Sequence, residues 1–170
     1  MKKMVFLLCA LAVLAFTAVS CNDNGVNTSE APQESNPLAG TSWVLVEFVD
    51  VENGENRKPD YNVVGWDGDS DTLYQLSFVD DTLAIGNKTV NGFSGKYLAC
   101  YTNNLLMFQL RTTLKCCDTD DGELYYTVLN GILFDGMLHF TLYPQELHIF
   151  YNNGKEYLKF KKTGGWDNEY

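Results

Sequence analysis

Basic residues, histidine and long apolar runs are all scarce in this sequence, and each scarcity excludes a class of function. Its 170 residues hold 12 Lys and Arg against 22 Asp and Glu, a formal charge of −10. Nucleic-acid binding relies on cations that neutralise phosphates, so it is an unfavoured role, and contact with anionic lipid headgroups through overall protein charge is unfavoured for the same reason. With two histidines in the chain, neither in a motif, a hydrolytic triad has no visible base. No phosphate loop, dinucleotide fingerprint or C-x-x-C is present. The longest apolar segment, Met4 to Phe16, is too short for a membrane span, which needs about 20 residues.

That segment has another reading. Lys2 and Lys3 precede it, Thr17-Ala18-Val19-Ser20 follow it, and the whole has the layout of a secretory signal. The cut falls before Cys21. Ala18-Val19-Ser20-Cys21 resembles a bacterial lipobox, in which the cysteine thiol is acylated before signal peptidase II cleaves. Two acyl chains, at about 0.8 kcal/mol per buried CH₂, make such an anchor stable. Residues 1–20 are thus expected to be a signal peptide and Cys21 to be the lipidation site. The expected location is the cell envelope of a Gram-negative bacterium, and Asn22, where Asp would favour inner-membrane retention, points to the outer membrane.

Removing Lys2 and Lys3 with the signal leaves 10 of the 12 basic residues against all 22 acidic ones. About 150 residues remain, the size of one domain with its own core. Residues 21–37 are polar, with Val26 the only large apolar side chain before Pro37, and read as a tether. Its typical end-to-end distance is about 25 Å and its full reach about 55 Å. Residues 38–163 read as the folded domain and 164–170 as a flexible tail, with Trp166 and Tyr170 either covering an apolar patch or hanging free. Within the domain, Asp50 to Thr72 reads as a long loop with one short strand from Tyr61 to Trp66.

The domain is mostly β-structure by period and composition. Strands are predicted at Ser42–Val49, Leu73–Val79, Thr82–Ile85, Phe93–Tyr101, Leu105–Thr113, Met137–Tyr143, Leu147–Tyr151 and Tyr157–Lys161, with a hairpin at Asn152-Asn153-Gly154. Tyr125, Val128, Leu129 and Ile132 recur at helical spacing, and Asp120 three residues before Glu123 resembles a capping box. The expected fold class is mainly β (α+β), a curled antiparallel sheet or partial barrel of seven or eight strands with one helix packed on it. Leu138, Phe140, Leu142, Leu147, Ile149 and Tyr151 would face inward. His139, Thr141, Tyr143, His148 and Phe150 would form an outer face that is either covered by the helix or long loop or meets a partner.

Other constellations fall short of chemistry. If Tyr143 pairs with Glu146, Phe150 lies opposite His139 and His148 is its diagonal neighbour at about 7–8 Å. A zinc site needs a third ligand, so these are expected to be surface histidines. Asp67-Gly68-Asp69-Ser70-Asp71 opens like a calcium loop, but Thr72 and Phe78 stand where an EF-hand requires Gly and Glu. Asp118-Thr119-Asp120-Asp121-Gly122 fails the same test. Gly92-Phe93-Ser94-Gly95 lacks the G-x-S-x-G spacing of a nucleophile elbow and continues as strand. No catalytic residue, metal or cofactor is therefore expected.

Several motifs together resemble the META domain of HslJ-like heat-shock lipoproteins. Leu38-x-Gly40-x-x-Trp43-x-Leu45 is similar to the family's opening, Phe78 to its F-x-x-D strand, and Asn91-x-x-x-Gly95-x-Tyr97 to its C-N-x-x-x-G-x-Y turn. Thr112-Thr113-Leu114-Lys115-Cys116 resembles its T-x-M-A-C segment, followed by Leu129, Phe140, Leu147-x-Ile149 and Leu158-x-Phe160. The resemblance covers about Leu38 to Lys162. It implies a β-rich, non-enzymatic envelope domain with one helix, linked to stress tolerance and acting through an envelope protein partner. The family's cysteine before the Asn is Val90 here. If Tyr101 pairs with Asn104, position 90 faces position 115 and Cys100 faces Leu105, roughly 35 Å along the ladder from Cys116 at about 3.4 Å per residue. A disulfide needs Cα atoms within about 7 Å, so Cys100, Cys116 and Cys117 are expected to be buried free thiols. A second reading is a lipocalin-like module for a small apolar ligand, since Gly40 and Trp43 stand close to the G-x-W start of such barrels. An enclosed apolar cavity would distinguish it.

Overall fold

Leu106, Phe108 and Leu110 point one way from their strand while Leu105, Met107, Gln109 and Arg111 point the other. This alternation, repeated from strand to strand, separates an apolar interior from an outer wall. The computed structural model describes residues 36–61, 73–113, 118–131 and 136–165. The strands are β1 (Thr41–Asp50), β2 (Glu55–Arg57), β3 (Gln75–Phe78), β4 (Leu83–Asn87), β5 (Gly92–Cys100), β6 (Leu105–Thr112), β7 (Leu138–Leu142), β8 (Glu146–Tyr151) and β9 (Glu156–Gly165), with α1 (Asp120–Leu129) between β6 and β7.

From β3 to β9 each strand pairs antiparallel with the next, and β9 returns to β1. Eight strands thereby close into a barrel, where the sequence had left open a partial one. β1 serves three partners: its first half pairs with β3, its end with β2 and its whole length with β9. A register shift between Leu45 and Glu47 marks a bulge in the β1–β9 ladder. Such an extra residue bends a strand and raises its twist, as closure requires.

The interior is built from Trp43, Leu45, Phe78, Tyr97, Leu106, Phe108, Phe140, Ile149, Leu158 and Phe160, all buried, with Tyr74, Tyr125, Val128 and Leu129 completing it. Tyr125 projects from α1 into this core, 5.8 Å from the Phe93 ring and 6.0 Å from those of Tyr74 and Phe160. Its hydroxyl donates to the carbonyl of Gln75 at 3.1 Å. Phe93 in turn lies over Gly86, its register partner, and a Cβ at Gly86 would strike both that ring and the Gln75 carbonyl.

The helix also completes the sheet. β6 and β7 share only the pairs Leu105↔His139 and Leu106↔Leu138. Beyond them, the Leu110 N–H donates to Asn130 Oδ1 at 3.0 Å, and the Leu110 carbonyl accepts from the Tyr126 hydroxyl at 3.2 Å. Side chains of the helical segment thus satisfy an otherwise open strand edge.

Three sequence expectations need correction. The helix cap is Thr119, one residue earlier than Asp120, because the Thr119 hydroxyl accepts from the Gly122 N–H at 3.0 Å. Asp120, Asp121 and Glu123 occupy the first turn, where carboxylates favour the helix dipole. β2 interrupts the loop expected from Asp50 to Thr72: Glu55-Asn56-Arg57 has no apolar residue to signal a strand, yet it pairs with the end of β1. β9 runs through Gly165, past the expected start of the tail, because Gly164 and Gly165 pair with Ser42 and Thr41. Of the expected strand at Tyr61 to Trp66, Tyr61 is irregular and the rest lies outside the described residues. Ser35–Tyr170 forms a compact unit that closes its own barrel around its own core, which is what independent folding requires.

Candidate functional site

Two polar arrangements were invisible in the sequence, and the first is buried. The β4–β5 turn carries Lys88, Thr89 and Asn91, all almost fully buried. Lys88 Nζ lies 2.8 Å from both Asp118 Oδ2 and Glu123 Oε1 and 4.8 Å from the centre of the Tyr126 ring. Asp118 also accepts from the Thr89 hydroxyl at 2.6 Å and from the Asn91 amide at 2.5 Å. Burial works against its charge, yet Lys88, Thr89 and Asn91 outweigh that and hold the Asp118 carboxyl below the usual range. Burial likewise works against the Lys88 ammonium, and its two carboxylates prevail and push it up. Five groups that satisfy one another in this way make a latch between a turn and a helix start.

The second arrangement is an absence of acid. By alternation the outward positions are Gln75 and Ser77 on β3, where Ser77 is nonetheless buried against Ser42, then Leu83, Ile85 and Asn87 on β4, and Gly92, Ser94, Lys96, Leu98 and Cys100 on β5. β6 adds Leu105, Met107, Gln109 and Arg111, and β7 adds His139 and Thr141. None of these is Asp or Glu, in a chain that has 22 of them. The carboxylate of Asp80, in the neighbouring turn, is held by the N–H groups of Thr82 and Leu83 at 2.7 Å. These bonds keep it below the usual range. Lys96 and Arg111 have no carboxylate partner among the described residues.

Arg111 lies in a cleft of about 580 Å³ on this wall. Its floor follows one register row, Ser77↔Ile85, Ile85↔Ser94 and Ser94↔Arg111, and Gln75 and Asn87 line the next row. The cleft offers a guanidinium, hydroxyls and amides around one isoleucine. Closer to the β5–β6 turn the wall becomes apolar: Leu98 faces Met107, and the two are 65% and 40% exposed, with Met137 at 52%. A smaller cleft of about 270 Å³ lies between the β1–β2 end and Leu124 of the helix.

The opposite wall is charged and aromatic. Lys159 bridges Glu47 at 3.6 Å and Glu146 at 3.5 Å. His148 meets Glu146 at 3.0 Å and stacks on Tyr157 with ring centres 4.7 Å apart. His139 lies opposite Phe150 and Thr141 opposite His148, the diagonal arrangement expected. No group of three possible metal ligands occurs among the described residues. The inward set from Leu138 to Tyr151 is also as expected. The rings of Tyr143, His148, Phe150 and Tyr157 pack on one another on the outer face.

Gly92-Phe93-Ser94-Gly95 is uninterrupted strand, with Ser94 exposed on the outer wall. Cys100 is a half-buried free thiol facing Leu105. Cys21, Asp67 to Asp71, Cys116 and Cys117 lie outside the described residues. The acid-free wall could have been found by sorting each strand's residues by parity, once the inward phase was fixed.

Neither a protein-family model nor a curated protein matches the sequence. Solved structures do share the architecture. An NMR structure of a protein from Burkholderia xenovorans is 23% identical and aligns over 81% of this chain and 95% of that one, with a TM-score of 0.53. A crystal structure of a duf4847 family protein from Bacteroides vulgatus ATCC 8482 is 16% identical, aligns over 74% of this chain and 94% of that one, and has a TM-score of 0.52. At these identities the likeness is one of fold: an antiparallel barrel of eight strands, with one further strand on its edge and a helix packed against it.

Proposed function

We propose that this chain is a lipid-anchored lipoprotein of the bacterial cell envelope, held by acylated Cys21 at the outer membrane. Its META-like domain works without catalysis, by contact between its outer surface and a partner protein, in envelope maintenance or stress tolerance. One observation carries the reading: the core is filled by Trp43, Tyr74, Phe78, Tyr125 and Phe160, each less than 2% exposed, so recognition falls to the outside. The residues that resemble the META domain support it at the level of packing. Leu38, Trp43, Leu45, Phe78, Tyr97, Leu129, Phe140, Leu147, Ile149, Leu158 and Phe160 are all core residues.

Barrel closure is compatible with the lipocalin-like alternative, but an interior ligand would have to displace those side chains. Both clefts described above are on the outer surface. Fractionation tests the anchor: native protein should stay in membranes after a high-salt wash, and the Cys21→Ala variant should be released by it. Retention of the variant would refute anchoring. A photo-crosslinker at exposed Tyr143 should give one discrete protein adduct in the intact envelope. An apolar molecule retained in the purified barrel, without such an adduct, would favour the ligand-binding reading instead.

A further inference from the structure

We propose that the outer wall of β4–β7 is a membrane-docking face, which lays Leu98, Met107 and Met137 on the interfacial region of a bilayer and sets Lys96 and Arg111 against anionic phospholipid headgroups.

Three observations converge on this occupant. The first is charge. The acid excess of the chain argues against headgroup contact in general, yet the strands of this wall carry two cations without carboxylate partners among the described residues and no outward-facing acid, with Asp80 and exposed Asp81 confined to the β3–β4 turn at its edge. A cation near an anionic membrane surface contributes about 1 kcal/mol, and in an acidic protein only a wall cleared of carboxylates can use that attraction.

The second is the apolar strip. Leu98 and Met107 are register partners, and Met137 directly precedes β7, one step beyond the Leu106↔Leu138 pair and so beside Met107. Their exposures of 65%, 40% and 52% put unbranched or γ-branched side chains into solvent across β5, β6 and the residue before β7, about 10 Å from the first to the third. Apolar side chains flanked by cations are what interfacial membrane binding needs. Arg111 stands in the cleft beside Ser94, and its guanidinium can take a phosphate oxygen pair there.

The third is where the chain enters the domain. Asn36 donates its amide to the Tyr97 hydroxyl at 2.8 Å and accepts from the Tyr101 hydroxyl. Tyr97 lies in β5 and Tyr101 directly follows it, at the end of the strand that carries Leu98. Asn36 thus sits at the apolar end of this wall, and the position bears on docking only if the chain before it is anchored at Cys21. This third point rests on the anchor reading, and the first two do not.

The test uses residues 35–170, which lack Cys21, and vesicles of phosphatidylcholine alone or mixed with phosphatidylglycerol. The domain should sediment with the phosphatidylglycerol vesicles and dissociate as salt rises. Reversing both cations (Lys96→Glu with Arg111→Glu) should weaken binding by about thirtyfold or more, from two lost cation contributions. Leu98→Asp with Met107→Asp should also abolish it. The charge-matched Lys58→Glu with Lys161→Glu should sediment like the parent. Equal partitioning of all variants, or none to phosphatidylglycerol vesicles, would overturn the proposal. So would a parent dimer dispersed by Leu98→Asp with Met107→Asp, which would assign the wall to a second copy. Because no acyl chain is present, failure here is distinct from failure of the anchor, which the Cys21→Ala fractionation reads separately.

Discussion

Lys88 and Asp118 belong to different elements and meet 2.8 Å apart, each side chain about 3% exposed. Neither has an alternative partner in water, so the turn between β4 and β5 and the start of α1 hold each other in place. Both oxygens of Asp118 are already in use by Lys88, Thr89 and Asn91, which makes this carboxylate unavailable as a base.

Asp118→Ala should therefore be costly. It strands a buried ammonium, and removing one partner of a buried pair costs about 3–5 kcal/mol. Glu123 remains beside Lys88, so the lower end is expected, about 3 kcal/mol. The double variant Lys88→Met with Asp118→Leu should recover much of that loss, since it removes both charges. Urea unfolding of the three proteins measures the difference.

Acid should weaken the same latch. The Asp118 carboxyl is held below its ordinary value of 3.8 in the fold, so its stabilisation is complete above pH 3.8 and disappears as pH falls through the lowered value. Unfolding free energy should drop steeply below about pH 4. Asp118→Asn should flatten part of that slope, and an unchanged slope would mean that other carboxylates dominate.

The alkaline limb should be set by tyrosines. Burial pushes Tyr74 and Tyr97 up to about 12, while their hydroxyls donate to the carbonyls of Asp60 and Asp80 at 2.7 Å. The fold favours their neutral form, so stability is intact below the ordinary value of 10 and lost as pH rises from there towards 12. Tyrosinate absorbance should show a late-titrating class, and Tyr97→Phe should remove one member of it.

How much of this was legible follows from range in sequence. Strands such as Leu138–Leu142 and the diagonal of His139 and His148 could be read because alternation and a short turn fix them locally. Barrel closure could not, since it depends on Thr41–Asp50 meeting Glu156–Gly165, and no local pattern records that pairing. The Lys88–Asp118 latch was hidden for the same reason. Spacing alone points to Asp120 as the cap, while the backbone lets the neighbouring Thr119 hydroxyl reach the Gly122 N–H instead.

Gly86 should tolerate no side chain. It faces inward beneath Phe93, and a Cβ would strike that ring and the Gln75 carbonyl, the latter being rigid backbone. Gly86→Ala should cost about 1–3 kcal/mol as overpacking. Adding Phe93→Leu should relieve the ring contact but not the carbonyl contact, so thermal melts should show only partial recovery.

β2 offers the sharpest contrast between local and global stability. Its three residues are exposed and bring no apolar side chain, so the three register pairs with the end of β1 have little burial behind them. What holds them is Arg57: its guanidinium lies 4.2 Å from the centre of the Phe48 ring and 2.6 Å from Asp121 Oδ1. Asp121 is shared, since its other oxygen accepts from the Asp60 N–H at 2.8 Å, and the loop after β2 is thereby tied to the helix start. Arg57 is half exposed, and exposed ion pairs contribute about 0.2–1 kcal/mol. Arg57→Ala should thus move the global unfolding midpoint little, by less than about 1 kcal/mol of stability. The same change should release β2 almost completely, because local opening draws on local contacts alone. Hydrogen exchange should show the backbone amides of Glu55 to Arg57 losing their protection while those of β5 and β6 keep theirs. A uniform loss across the barrel would instead make Arg57 part of the global core.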